Sequence, residues 1–142
     1  GLVGTATSAI TITNSFASGD ILTKTIGGGI IGRVGAENST ISNCIAWNAK
    51  VESTAASSTG AIIGSLEKSG SYSKCIRKND MVVTIASAAQ TLADQDDMTT
   101  VSSTCAYHGK AAAADATVSS VAKTLGWSET VWDLSNAVPT LK

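Results

Sequence analysis

Proline, histidine and phenylalanine each occur once in 142 residues, and only six residues are Phe, Tyr or Trp. The apolar 43% is supplied mainly by Ala, Ile and Val, which excludes a core built around bulky rings. Charge is scarce as well: 15% of residues are charged and the formal net charge is −1. No basic face is present, so a nucleic-acid partner lacks its electrostatic footprint. No apolar run approaches the roughly 20 residues that span a bilayer. Three cysteines, an odd number, exclude a closed disulfide framework. No leader peptide stands at the start, and the first repeat unit begins at Gly1 without a lead-in. The expectation is a mature, excised part of an exported protein.

What is present is repetition. Gly28-Gly29-Ile30-Ile31-Gly32 is followed, after a turn, by Ser39-Thr40-Ile41-Ser42-Asn43-Cys44-Ile45-Ala46. The pattern returns as Gly60-Ala61-Ile62-Ile63-Gly64 with Ser71-Tyr72-Ser73-Lys74-Cys75-Ile76, and precedes itself as Gly1-Leu2-Val3-Gly4 with Ala9 to Ala17. A degraded copy without the glycine box covers Thr100 to Ala106. Aligning Ser15, Cys44, Cys75 and Cys105 gives steps of 29, 31 and 30 residues. A period near 30 signals a stacked architecture, in which each unit buries its apolar face against the next.

Within a unit, Ala9 to Phe16 alternates apolar residues with Thr, Asn and Ser, the pattern of a strand with one buried face. Short strands separated by turns predict an all-β fold, a short parallel β-helix of about four repeats. The single domain divides into repeats at about 1–22, 23–52, 53–84 and 99–113, with a cap over 114–142. Gly4, Gly32 and Gly64 close the boxes, while Ser15, Cys44, Cys75 and Cys105 are expected to form one column of small buried side chains. The stretch Ser53 to Ser58 reads as a flexible link, and Asn38-Ser39-Thr40, although a glycosylation sequon, as a polar turn. Lys74, Arg77 and Lys78 read as a solvated outer face. The Ala-rich stretch from Ile85 to Leu92 could form a helical turn, and Asp94-Gln95-Asp96-Asp97 lacks the glycine and terminal glutamate of a helix-loop-helix calcium site. Asp115 as N-cap, Val118, Val121, Ala122 and Leu125 at helical spacing and Gly126 as stop predict a short helix. Trp127 and Trp132 after it read as a cap over the last open coil.

The glycine box followed by Ile41-Ser42-Asn43-Cys44-Ile45-Ala46 resembles the GLUG repeat of bacterial cell-surface and secreted proteins. Asn14-Ser15-Phe16-Ala17-Ser18-Gly19-Asp20-Ile21 matches the second half of that motif, and the tail from Leu125 to Lys142 is similar to the ending of such arrays. The departures are the missing box in the fourth copy and Ile45 and Ile76 where the family usually carries an aromatic residue. The resemblance implies an exported β-solenoid with adhesive or structural roles at the cell surface, and no catalytic residues.

Two functions follow from the residues. The first is a non-catalytic structural or adhesive module, pairing through open solenoid edges with identical subunits or with other domains of a larger surface protein. The second is a carbohydrate-binding or polysaccharide-processing β-helix, with Trp47, Tyr72 and Tyr107 as stacking platforms. Catalysis is not expected, because the acids fall mostly in turns and His108 has no nucleophile that sequence alone can pair with it. No cofactor, metal or nucleic acid is expected. An ice-binding ladder is excluded because Thr11-Ile12-Thr13 occurs once.

Overall fold

The computed structural model describes residues 1–55 and 58–142; Ala56 and Ser57, in the link expected to be flexible, lie outside the described residues. The chain winds into three coils of a parallel β-solenoid. The first coil contains β1 (Val3–Ala6), β2 (Thr11–Thr13), β3 (Phe16–Ser18) and β4 (Ile21–Thr23). The second adds β5 (Gly27–Gly28), β6 (Ile31–Val34), β7 (Ser39–Ser42), β8 (Ile45–Trp47) and β9 (Lys50–Ser53). The third repeats it with β10 (Thr59–Gly60), β11 (Ile63–Leu66), β12 (Gly70–Ser73), β13 (Ile76–Arg77) and β14 (Val82–Ile85).

Every strand pairs in parallel with its counterpart one coil away, so the repeat in sequence becomes columns in space. Ala6, Val34 and Leu66 form one inward column, and Ile12, Ile41 and Tyr72 a second. Ile21, Val51 and Val83 form a third. These alternate positions are almost all buried, as strands with one apolar face require. The sharp corner after β2, β7 and β12 is made by a single left-handed residue in each coil: Asn14 at φ 48°, Asn43 at 59° and Lys74 at 52°. Asparagine tolerates that region; lysine there carries strain. Asn38, at φ 60°, is an exposed turn residue.

After β14 the pairing turns largely antiparallel. Ala86 and Ser87, both at positive φ, reverse the chain into β15 (Ala88–Ala89), which pairs antiparallel with β14. The Ala-rich stretch is therefore a hairpin and not a helical turn. Next, β16 (Asp97–Met98) pairs antiparallel with β12, and Ser102 and Tyr107 bridge antiparallel to Leu66 and Ile63. Only β17 (Lys110–Ala111) runs parallel, against β13. The fourth copy is thus not a fourth coil. Without a glycine box it cannot make the tight bend that starts a coil, and it crosses the third coil backwards as a lid.

The column of small residues also ends differently from its sequence alignment. The amides of Ile45, Ile76 and Lys110 donate to the carbonyls of Ser15, Cys44 and Cys75, each at 2.9 Å. The residue stacked on Cys75 is therefore Gly109, and Cys105 lies off the column, half-buried beside Leu66, whose amide bonds its carbonyl.

Helix α1 (Val118–Thr124) starts at Thr117 and not at Asp115: Thr117 and Ser120 form a reciprocal capping box. Val118, Val121 and Ala122 are buried, and Gly126 at φ 74° follows the C-cap. A final hairpin, β18 (Trp132–Asp133) with β19 (Thr140–Leu141), completes the chain. Helix and hairpin cover the flank of the solenoid and not its last coil. The reason lies in β3, β8 and β13, whose outward residues Phe16, Ile45 and Ile76 form an apolar stripe along the stack. Trp127 and Trp132 lie on that stripe, 5.1 Å apart between ring centroids and 6.5 and 6.1 Å from Phe16. The Trp127 indole donates to Asn43 O at 3.0 Å, and the Asn43 amide returns a bond to Leu125 O at 3.1 Å. No helix among the described residues is long and apolar enough to cross a membrane.

Candidate functional site

The two ends of the solenoid differ. At the first coil, β1 to β4 have partners on one side only among the described residues. At the third coil the lid pairs the strand edges: the amides of Ile62 and Ile63 both donate to Tyr107 O at 3.0 Å, and those of Lys74 and Leu66 donate to Asp96 O and Cys105 O at 2.9 Å.

Two side chains plug the closed end. Tyr107 is fully buried; its hydroxyl donates to Asp96 O at 2.8 Å and accepts from the Cys75 amide at 3.4 Å. Burial raises its pKa above the ordinary phenol range. Arg77 is the second plug. It follows Ala17 and Ala46 in an inward column, so its side chain emerges where the coils stop. Its guanidinium donates to Gly109 O at 2.6 Å, Leu92 O at 3.1 Å and Asp94 Oδ1 at 2.9 Å. The expected solvated basic face is corrected here: Arg77 is only 5% exposed, while Lys78 pairs outside with Asp80. The Ala111 amide and the Arg77 charge hold the Asp94 carboxyl below its usual range. The acidic loop is an anchor for the lid.

Between the β14–β15 hairpin and the lid lies a concavity of about 560 Å³, lined by Thr59, Ile85, Gln90, Gln95, Thr104 and His108 among others. His108 is held from both sides: its amide donates to Gln95 Oε1 at 2.7 Å, and its Nδ1 accepts from the Ala61 amide at 3.3 Å. An Nδ1 that accepts cannot carry the ring proton, so the neutral tautomer has it on Nε2. Burial and the nearby Arg77 charge push the imidazole pKa down, and the ring is neutral at physiological pH. A second concavity, about 600 Å³, lies between α1 and the β13–β17 edge.

The residues singled out from sequence do not converge. Tyr72 is 2% exposed inside the third coil and Tyr107 is buried beneath the lid, so neither ring can act as a stacking platform. Trp47, half-buried, belongs to the flank cluster with Phe16 and Trp132. Cys44 and Cys75 are buried neighbours with free thiols; contact with Cys44 and burial keep the Cys75 thiol protonated. The box glycines are explained by close approach. A Cβ on Gly32 would lie 2.4 Å from Gly4 O, and one on Gly64 would lie 2.6 Å from Gly32 O, in each case the box of the preceding coil. On Gly4 it would meet nothing within 4 Å. Sequence reasoning missed the polar concavity of Thr59, Gln90, Gln95 and His108, whose residues come from three separate stretches. The signal in the sequence is slight: eight of the fifteen residues from 90 to 104 are Gln, Ser or Thr, without apolar periodicity.

No family model matches the chain, and no curated protein matches it. Among solved structures, it is similar to a candidate immunoglobulin A1 protease from Bacteroides ovatus, with a TM-score of 0.67 at 21% sequence identity. The match covers 99% of this chain and 44% of that one, so the chain spans less than half of that protein's length. At this identity the likeness concerns the fold.

Proposed function

We propose that this chain is the capped end unit of a longer exported β-solenoid, a non-catalytic structural and adhesive module of a bacterial cell-surface or extracellular protein with GLUG-type repeats. Gly4 carries the reading. In the second and third coils the box glycine is required because the preceding coil's box carbonyl occupies the place of its Cβ. Gly4 occupies the same register, as Val3 pairs with Ile31 and Ile31 with Ile63, yet in this chain nothing faces it. A glycine there has a purpose once a further coil, or the edge of a second subunit, lies against β1. The greater length of the similar Bacteroides ovatus protein fits a module within a longer chain. The use of Asp94 and His108 as anchors of the lid supports a structural reading of both.

A closed end opposite an open one limits the assemblies. Where identical copies pair through β1 to β4, the lid at the other end stops that association at a dimer, and filaments do not form. Light scattering over a concentration series, with hydrogen exchange on the same samples, is the test. The expected result is a reversible dimer in which the amides of β1 to β4 gain protection, abolished by Gly4→Val without loss of thermal stability. Filaments would refute the closed end. A strict monomer at high concentration with β1 already protected would refute the open one.

A further inference from the structure

We propose that the concavity between the β14–β15 hairpin and the lid binds a neutral saccharide. This gives the adhesive reading its ligand and rests on it, but the two fail separately, because the open edge and the concavity lie at opposite ends of the stack.

The first argument is what lines the space. Its polar groups are hydroxyls, carboxamides and one imidazole; no Lys, Arg, Asp or Glu takes part. Arg77, whose charge acts on His108, has its guanidinium committed to Gly109 O, Leu92 O and Asp94. An anionic ligand finds no counter-charge there, and a purely apolar one would strip the lining groups of water without replacing their bonds. A ligand that offers paired donors and acceptors without charge satisfies both conditions. Ile85 and Ala106 provide the apolar contact that the C–H face of a sugar ring needs. At about 560 Å³ the space falls within the roughly 300–1,000 Å³ of small-ligand sites.

The second argument is an unspent hydroxyl. Thr59 is 2% exposed, lines the concavity, and its Oγ1 meets no hydrogen-bond partner among the described residues. A buried hydroxyl left unbonded is destabilising, and valine would fill the same volume in β10 without that cost. The neighbouring polar groups are set in place by backbone bonds. The Ala61 amide fixes the His108 tautomer, leaving Nε2–H as the donor of the ring, and Gln95 Oε1 is pinned by the His108 amide. Gln90 holds Ala88 O through Nε2 at 2.9 Å, leaving Oε1 as an acceptor. A donor, an acceptor and an amphoteric hydroxyl around one space match vicinal hydroxyls of a sugar, each of which donates and accepts.

The experiment titrates the isotope-labelled full chain with galactose, mannose, N-acetylglucosamine and lactose, and with glucuronic acid and sialic acid as charged controls. The readout is amide shift changes. At least one neutral sugar is expected to perturb Thr59, Gln90, Thr104 and His108 in a saturable manner, with the charged sugars weaker. Thr59→Val and Gln90→Ala should each weaken that binding at least tenfold while the rest of the spectrum is retained, and Thr59→Val should keep or raise the melting temperature. Four outcomes overturn the proposal: no saturable shifts with any neutral sugar, shifts located elsewhere, unchanged affinity in both variants, or a fall in the melting temperature of Thr59→Val, which would give the hydroxyl a structural role.

Discussion

Replacing the box glycines one at a time by alanine separates stacking from local backbone preference. These glycines have ordinary negative or extended φ, so alanine is conformationally acceptable at each, and Gly→Ala alone stabilises by about 0.4–1 kcal/mol through the unfolded chain. At Gly64, however, the new Cβ would lie 2.3 Å from Gly27 O and 2.6 Å from Gly32 O. Relief needs a shift of nearly an ångström between two coils that five parallel ladders hold together. Overpacking typically costs about 1–3 kcal/mol, and each ladder bond lost adds roughly 0.5–1.5 kcal/mol. Gly64→Ala should therefore lose about 3 kcal/mol or more. At about 3 °C per kcal/mol for a chain of this size, its melting temperature falls by roughly 10 °C. Gly32→Ala, with Gly4 O 2.4 Å from its Cβ, should lose a comparable amount, somewhat eased because the first coil is free to move outward. Gly4→Ala, with nothing in the way, should be neutral or stabilising by a few tenths of a kcal/mol. Thermal and urea unfolding of the three variants decide it. Equal losses at Gly4 and Gly64 would show that the glycines serve the backbone and not the approach of coils, removing the reason to place another coil against β1.

Three further outcomes follow from the closed end and its strain. The depressed pKa of His108 means that the folded state binds its proton more weakly than the unfolded state does. Stability should be level above the unperturbed value of about 6.5, decline as pH falls from there to the folded pKa, and level off for this group below it; His108→Gln should flatten that window in urea titrations at stepped pH. Thiol labelling of the native protein should modify Cys105 first, with Cys44 and Cys75 reacting only at the rate of unfolding, and early loss of all three thiols together would contradict the buried pair. Ser87, at φ 68° in the second position of a two-residue hairpin turn, should gain about 1 kcal/mol on change to glycine, measured by urea unfolding, whereas Ser87→Val should lose stability.

The solenoid is legible in the sequence because stacking repeats each requirement. Ile12, Ile41 and Tyr72 fill one column, and Asn14, Asn43 and Lys74 turn the same corner, so the period near 30 residues registers the same contact several times. The closed end is not legible in that way. Each lid contact is made once: Tyr107 beneath the third coil, Arg77 to Gly109 and Leu92, His108 to Ala61. The alignment of Cys105 with Cys75 preserved the spacing but not the direction of the chain, since antiparallel crossing carries apolar residues over a similar interval. Arg77 was misplaced for a related reason. A charge in a β-strand reads as outward-facing, and only the end of a stack gives an inward position an exit from the core.

The same reasoning explains why the helix and the tryptophans cover the flank. A strand edge needs partners with backbone groups in register, which β15, β16, β17 and the bridge at Tyr107 supply and a helix cannot. An apolar stripe needs only area, which α1, Trp127 and Trp132 provide against Phe16, Ile45 and Ile76. The sequence signal of a cap, an amphipathic helix followed by tryptophans, therefore marks a covered side, and the signal of closure is the loss of the glycine box. By that criterion the box glycine kept at Gly4, where a Cβ would meet nothing, supports the proposed packing of a further coil or a second subunit against β1.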